Sequence, residues 1–253
     1  MSKSSTIALS GKGGVGKTTV ASLLIKVLRD RGDGAVFAID ADPNSCLADY
    51  LGLEVEESIG SIREDIINNI TNIPPGMTKE RWINYRIQAC IVESTGVDLL
   101  EMGRPEGPGC YCYVNDILRG YEGSVHRNYR YTVIDNEAGM EHISRRSTQT
   151  IDYLLIVSDL SIHGLKAARR IRELSRELKF ATHNTGLVLN HVAEPISDNI
   201  SRLIEETGLE VFGRIPTDHL LMEFGFSNGS LLDISKESAA LNSARELSFA
   251  LDI

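Results

Sequence analysis

Cysteine is scarce in this sequence: four in 253 residues cannot form a disulfide scaffold, and those thiols are expected to stay free in a reducing compartment. Basic residues are in deficit, with 26 Lys and Arg against 35 Asp and Glu and a formal net charge of -9. Such a chain has no general attraction for nucleic acid or anionic lipid, so neither DNA, RNA nor a membrane is expected as a partner. Long apolar runs are missing as well. Residues 153–157 form one of the longest, which is strand-sized and well short of the roughly 18 residues of a membrane span. There is no internal repeat, low-complexity tract or dividing linker, and 42% apolar with 24% charged content excludes disorder, collagen and coiled coil as the main architecture. A secretory leader of about 15 to 30 residues would have to remove the glycine-rich element that starts at Gly11, so the expected location is cytoplasmic.

What the sequence does contain is an alternation of two periods. Residues 6–10, 35–40, 97–102, 131–135, 153–159, 186–190 and 211–215 are short apolar or β-branched runs, as buried parallel strands require. Helical stripes lie between them. Val20, Leu23, Leu24, Val27 and Leu28 make one, closed by Arg29, Arg31 and Gly32; Leu165, Ala168, Ile171, Leu174 and Leu178 make another. Pro74, Pro75 and Gly76 mark a loop between helices, and residues 104–112 an irregular surface segment. Strand-helix-strand repetition predicts an α/β fold: a single P-loop NTPase domain over 1–253, with a mostly parallel sheet of about seven or eight strands and helices on both faces.

Gly11, Lys12, Gly13, Gly14, Val15, Gly16, Lys17 and Thr18 match G-x-x-x-x-G-K-[ST] between a strand and the strongest helix, which is the context the motif needs. Glycines let successive backbone N–H groups turn inward on phosphates, the helix adds its positive N-terminal end, and Lys17 brings a full charge to the β and γ phosphates. Thr18 offers a hydroxyl to Mg²⁺, and Thr19 can reach the α-phosphate. The second lysine makes the motif K-G-G-V-G-K-T-T, which resembles the deviant Walker A of the nitrogenase iron protein, MinD and ParA superfamily. That resemblance implies ATP-dependent dimerisation, with Lys12 crossing to the partner's nucleotide as a catalytic cation, an effect worth about 10³ to 10⁵ in rate for an arginine finger.

The resemblance extends to two further elements. Asp40-Ala41-Asp42-Pro43-Asn44 is similar to the superfamily's switch I, which implies that Asp42 orients the attacking water. Asp135 to Gly139 stands in the place of Walker B and switch II, implying Asp135 in the Mg²⁺ shell and a Gly139 amide that senses the γ-phosphate. Asn190 resembles the asparagine that bonds the adenine edge, and the loop at Pro216 the one that covers the base. The guanine-reading Asn-Lys-x-Asp pattern is absent, since His191 follows Asn190, so ATP is favoured over GTP.

Cys110 and Cys112 follow Gly107-Pro108-Gly109, where the chain cannot be mid-helix. In an extended segment residues i and i+2 face one side, so two thiolates at about 2.3 Å from one tetrahedral ion are sterically reasonable. The other two cysteines are expected to be buried: Cys90 on a stripe with Ile83, Ile87 and Ile91, Cys46 with Leu47, Tyr50 and Leu51. The missing ligands then come from a second copy of Cys110 and Cys112 across a two-fold axis. The segment resembles that of the first cluster cysteine in the nitrogenase iron protein, but the second is absent, since the chain reads Gly139-Met140-Glu141-His142. Together with residues 135–142 the C-x-C pair is similar to the CooC-type nickel-insertion ATPases of carbon monoxide dehydrogenase maturation, and to the AcsF type serving acetyl-CoA synthase, over nearly the whole chain. It implies a homodimer binding ATP, Mg²⁺ and Ni²⁺ or Zn²⁺, and a nickel enzyme as client.

A second expectation is a MinD- or ParA-like positioning or partitioning ATPase without a metal role. Against it, residues 241–253 carry Arg245 as their only cation, and Arg145, Arg146, Arg169, Arg170 and Arg172 sit among acids as solvated helix faces. A reductase, the third class, would need an iron-sulfur chromophore. His126, His163, His183, His191 and His219 show no metal-site spacing and are expected to be ordinary polar or packing residues.

Overall fold

The computed structural model describes residues 4–62, 73–104, 129–137, 151–177, 182–226 and 229–253. Eight strands form one sheet: β1 (Ser5–Gly11), β2 (Val36–Ala41), β3 (Ile91–Ser94), β4 (Val97–Glu101), β5 (Tyr131–Asn136), β6 (Ile151–Ser158), β7 (Thr182–Val192) and β8 (Glu210–Pro216). Their order is β3-β4-β2-β5-β1-β6-β7-β8, parallel throughout except for the antiparallel β3-β4 pair at one edge. The chain is thus a single α/β domain, as the alternating periods require.

Side-chain alternation along the strands sorts the core into two layers. On one face Ile7, Leu9, Val133, Leu155 and Val157 meet α1 (Lys17–Arg31) and a C-terminal helix, Ala239–Ala250. On the other Ile39, Ile134, Leu154, Ile156 and Leu187 meet Leu165, Ala168 and Ile171 of the helix Ile162–Glu177 and Ile83 and Ile87 of the helix Lys79–Ala89. In chain order these helices are α1, α2 (Leu47–Leu51), α3 (Lys79–Ala89), α4 (Ile162–Glu177), α5 (Asp198–Thr207), α6 (His219–Phe224) and α7 (Ala239–Ala250). Each fully buried Leu or Ile contributes about 1.5–3 kcal/mol, so the two-sided cover explains why the central strands read as continuous apolar runs.

α1 ends where expected: Gly32 is left-handed and its N–H bonds the Arg29 carbonyl. The helix is buried all round rather than on one stripe, because α7 and a 3-10 turn at Leu231–Asp233 cover its outer side. Lys26 is consequently buried and places its Nζ 2.7 Å from the Leu232 carbonyl and 3.0 Å from Asp30.

Three expectations need correction. Ile91 does not continue a helical stripe with Ile83 and Ile87. α3 stops at Ala89, and Ile91 opens the edge strand β3. On α4, Leu174 is 37% exposed and Ser175 takes the inward position; Leu178 lies outside the described residues. Cys46 is exposed rather than packed with Leu47 and Leu51, because it sits at the N-cap of α2, before the helical period begins. Cys90 is buried as expected. Among the described residues no helix is long and apolar enough to cross a membrane.

Candidate functional site

The strands β1, β2, β5 and β7 end on one rim of the sheet, where the chain order reverses on either side of β1, the usual place for a ligand in an open α/β sheet. A cleft of about 650 Å³ opens there. Gly13, Gly14, Gly16, Lys17, Thr18 and Thr19 form its floor, Asp42 and Asn44 one side, and Pro216, Thr217 and Asp218 another. The residues read as phosphate-binding, water-orienting and base-covering therefore converge on one cavity.

The glycine loop is shaped by sterics. A Cβ on Gly11 would lie 2.3 Å from the Val157 carbonyl of β6, so only glycine lets β1 and β6 pair this closely. Gly16 has φ +85, and a Cβ there would lie 2.2 Å from Asn190 Nδ2. It is also the N-cap of α1, where no side chain caps the helix, so the positive end of α1 opens at residues that line the cleft. Lys17 is buried at the cleft floor, whereas Lys12 is exposed and does not line its own cleft.

Asn190 is 1% exposed and donates from Nδ2 to the Val15 carbonyl at 2.9 Å, tying the end of β7 to the loop. His191, expected to be unremarkable, lines the cleft with a left-handed φ of +54. Its placement follows from directly succeeding a residue at the binding rim, the one signal that could have identified it. Asp218 accepts hydrogen bonds from Leu220 N (2.9 Å), Ala240 N (3.0 Å) and Ser238 Oγ (2.6 Å), capping α6 and fixing the start of α7. Those bonds hold its carboxyl below the ordinary range against the opposing effect of burial.

Two carboxylates lie side by side at the ends of β2 and β5. Asp40 is fully buried, caps α2 by accepting from Leu47 N at 2.8 Å, and accepts from Asp42 N at 3.0 Å. Burial, reinforced by Asp135, pushes its carboxyl up to about 7 despite those bonds. Asp135 is pushed up to about 6, again by burial, with Thr18 and Lys17 opposing. Its Oδ2 accepts from Thr18 Oγ1, while its Oδ1 is buried with no hydrogen-bond partner. An orphaned carboxylate oxygen beside a P-loop hydroxyl fits a hydrated Mg²⁺, with Thr18 and Asp135 in its shell.

Cys110, Cys112, Gly139, His126, His142, Arg145 and Arg146 lie outside the described residues. Among the described residues no three His, Cys, Asp or Glu side chains come together as a metal-binding group. Cys46 lines the nucleotide cleft, and Cys90 is buried with its thiol pushed up to about 12 by burial. On α4, Arg169 is exposed and pairs with Glu173, in keeping with a solvated face.

Residues 6–231 match the CobQ/CobB/MinD/ParA nucleotide binding domain family. An uncharacterized ATP-binding protein of Methanocaldococcus jannaschii is 39% identical over 243 residues, which is 95% of this chain and 96% of the relative. The carbon monoxide dehydrogenase accessory protein CooC of Rhodospirillum rubrum is 30% identical over 244 residues, 90% of each chain. Among solved structures, MinD in the MinC:MinD cell division complex of Aquifex aeolicus superposes with a TM-score of 0.74 at 21% identity, covering 98% of this chain and 96% of that one. With that match and a P-loop cleft of this construction, the chain belongs to the CobQ/CobB/MinD/ParA nucleotide-binding family and is an ATP-binding ATPase.

Proposed function

We propose that the protein is an ATP-switched homodimeric metal chaperone that hydrolyses ATP to deliver or insert nickel into a client metalloenzyme, carbon monoxide dehydrogenase or acetyl-CoA synthase. The observation that carries this reading is the co-occurrence, in one chain, of the C-x-C pair Cys110 and Cys112 with 30% identity to CooC over nine-tenths of its length. The ion is cargo, held by the two thiolates of each subunit, and Zn²⁺ fits the same donors.

In this scheme Gly14, Gly16, Lys17 and Thr18 bind the phosphates and Thr18 with Asp135 holds Mg²⁺. Asp42 orients the attacking water and Gly139 senses the γ-phosphate. Pro216 covers the base, and Asn190 serves it from the strand end that also ties down the loop. Exposed Lys12, which leaves its own cleft to Lys17, is available to the nucleotide of a second copy. Closure of the dimer on ATP sets the geometry of the four thiolates, and hydrolysis releases the ion.

The test is anaerobic metal titration with gel filtration, with and without a non-hydrolysable ATP analogue. One Ni²⁺ or Zn²⁺ per dimer is expected, and its loss in the Cys110→Ala, Cys112→Ala double variant. Unchanged metal binding in that variant removes the chaperone reading. ATP-dependent sedimentation with liposomes or DNA would instead favour a positioning or partitioning ATPase.

A further inference from the structure

We infer that Arg104 is a positioning residue for ATP hydrolysis, acting on Asp42 through Asn44. Arg104 lies outside the cleft lining, but its guanidinium grips the loop that carries Asp42. Nε donates to the Pro43 carbonyl at 3.2 Å and Nη2 to Asn44 Oδ1 at 2.9 Å. Asn44 in turn donates twice to Asp42 Oδ1, from its backbone N and from Nδ2, each at 2.9 Å.

The chemistry of the donors gives this chain a direction. A guanidinium can only donate, so the atom of Asn44 that it meets is the amide oxygen, and the amide nitrogen is left facing Asp42. With Arg104 removed, the Asn44 amide loses the anchor on its oxygen and is held only by its bonds to Asp42, so the pair is free to shift together. Two donors on one oxygen fix the plane of the Asp42 carboxylate and leave Oδ2 to accept from a water. Orientation of that kind is where small displacements cost rate without costing affinity.

The backbone of Arg104 is anchored well enough for the role. Met102 N bonds the Asp40 carbonyl and Gly60 N the Met102 carbonyl, both at 2.8 Å. Gly60 also packs so tightly against the Arg104 carbonyl that a Cβ there would sit 2.3 Å from the oxygen. The grip is therefore exerted from a fixed point at the end of β4. In sequence, Arg104 opens the 104–112 segment that contains Cys110 and Cys112.

The inference rests on the reading of Asp42 as the water-orienting residue, and one kinetic series separates the two. In the full-length protein, Arg104→Ala is expected to lower kcat about tenfold with KM for ATP within about twofold, and Asn44→Ala to do the same. The double variant should be no slower than either single one, since both act through Asp42. Asp42→Asn should abolish turnover. An inactive Asp42→Asn beside a fully active Arg104→Ala overturns the relay alone, and a fully active Asp42→Asn overturns both readings. Losses that multiply in the double variant, or a fall in ATP affinity equal to the fall in rate, also overturn the relay. Thermal melting of Arg104→Ala, whose side chain is exposed, should match the parent, and a large drop would mark a structural role instead.

Discussion

Thr18 Oγ1 donates to Asp135 Oδ2 at 2.6 Å, joining residues 117 apart in sequence across the floor of the cleft. The bond links the first turn of α1 to the end of β5, the strand read above as standing in the place of Walker B. Its other carboxylate oxygen, Oδ1, is buried with no hydrogen-bond partner. The pair is thus poised to take a hydrated cation, and the bond between them is what the cation would replace.

Thr18→Ala should raise the Mg²⁺ concentration needed for half-maximal ATP hydrolysis on the order of tenfold, because one hydroxyl leaves the shell. A Mg²⁺ titration of steady-state turnover checks it. An unchanged Mg²⁺ requirement would remove Thr18 from that role.

Gly16→Ala should weaken ATP binding by more than about tenfold. The added methyl meets Asn190 Nδ2 at 2.2 Å, and a left-handed φ of +85 costs a non-glycine residue about 1–2 kcal/mol. The loop must open, and the Asn190 bond to Val15 with it. Equilibrium titration with a fluorescent ATP analogue measures the loss, and parental affinity would contradict the steric argument.

Asp40 gives a pH dependence. Its folded carboxyl titrates near 7 rather than at its ordinary 3.8, so folding takes up a proton between those values. The associated stability is fully present below the unfolded value and is lost as pH rises through about 7. It amounts to on the order of 4 kcal/mol, given that about 1.4 kcal/mol attends each pKa unit between 3.8 and about 7. The protein free of nucleotide and Mg²⁺ should therefore melt lower at pH 8 than at pH 5.5, and Asp40→Asn should flatten that slope. Parallel slopes in parent and variant would refute it.

Cys46 and Cys90 should differ in reactivity. In a Cys110→Ser, Cys112→Ser background, iodoacetamide at mildly alkaline pH should modify exposed Cys46 and spare Cys90, whose thiol is buried and pushed up to about 12. Burial and the neighbouring Asp40, Asp42 and Asp49 also raise the Cys46 thiol, so its labelling should be slow and speed up with pH. Mg-ATP should protect it several-fold, because Cys46 lines the cleft. Mass spectrometry of the labelled peptides decides, and labelling of Cys46 indifferent to nucleotide would place the base and phosphates elsewhere.

The central strands were legible because a parallel strand buried on both faces carries a run of consecutive apolar residues at its centre, as at 7–9 in β1, 36–39 in β2 and 133–134 in β5. The edge strand β3 was not. Ile91 falls four residues after Ile87, so helical spacing persists through a chain that has already turned, and only the antiparallel partner β4 distinguishes the two. Cys46 shows a similar limit, since apolar neighbours in sequence say little about a residue at the N-cap, whose side chain precedes the helical face. Within the cleft, the motif positions were readable because phosphate chemistry restricts residue type. The parts played by His191 and Asp218 there, and by Arg104 outside the cleft, were not, because they come from loops meeting in space. The packing of Lys26 against the Leu232 carbonyl likewise depends on a contact 206 residues away in sequence.

Asp218 holds the loop at Pro216, proposed above to cover the base, and the first turn of α7 with one carboxylate, and α7 is packed along α1 through Leu241, Ala244 and Leu247. That side of the cleft is therefore built into the core and has little freedom to surrender when a ligand arrives. Calorimetrically, an isolated adenosine should bind with a small ordering penalty and little change in heat capacity. The larger entropic cost of ATP should accompany the triphosphate, whose contacts include the more exposed loop around Asn44.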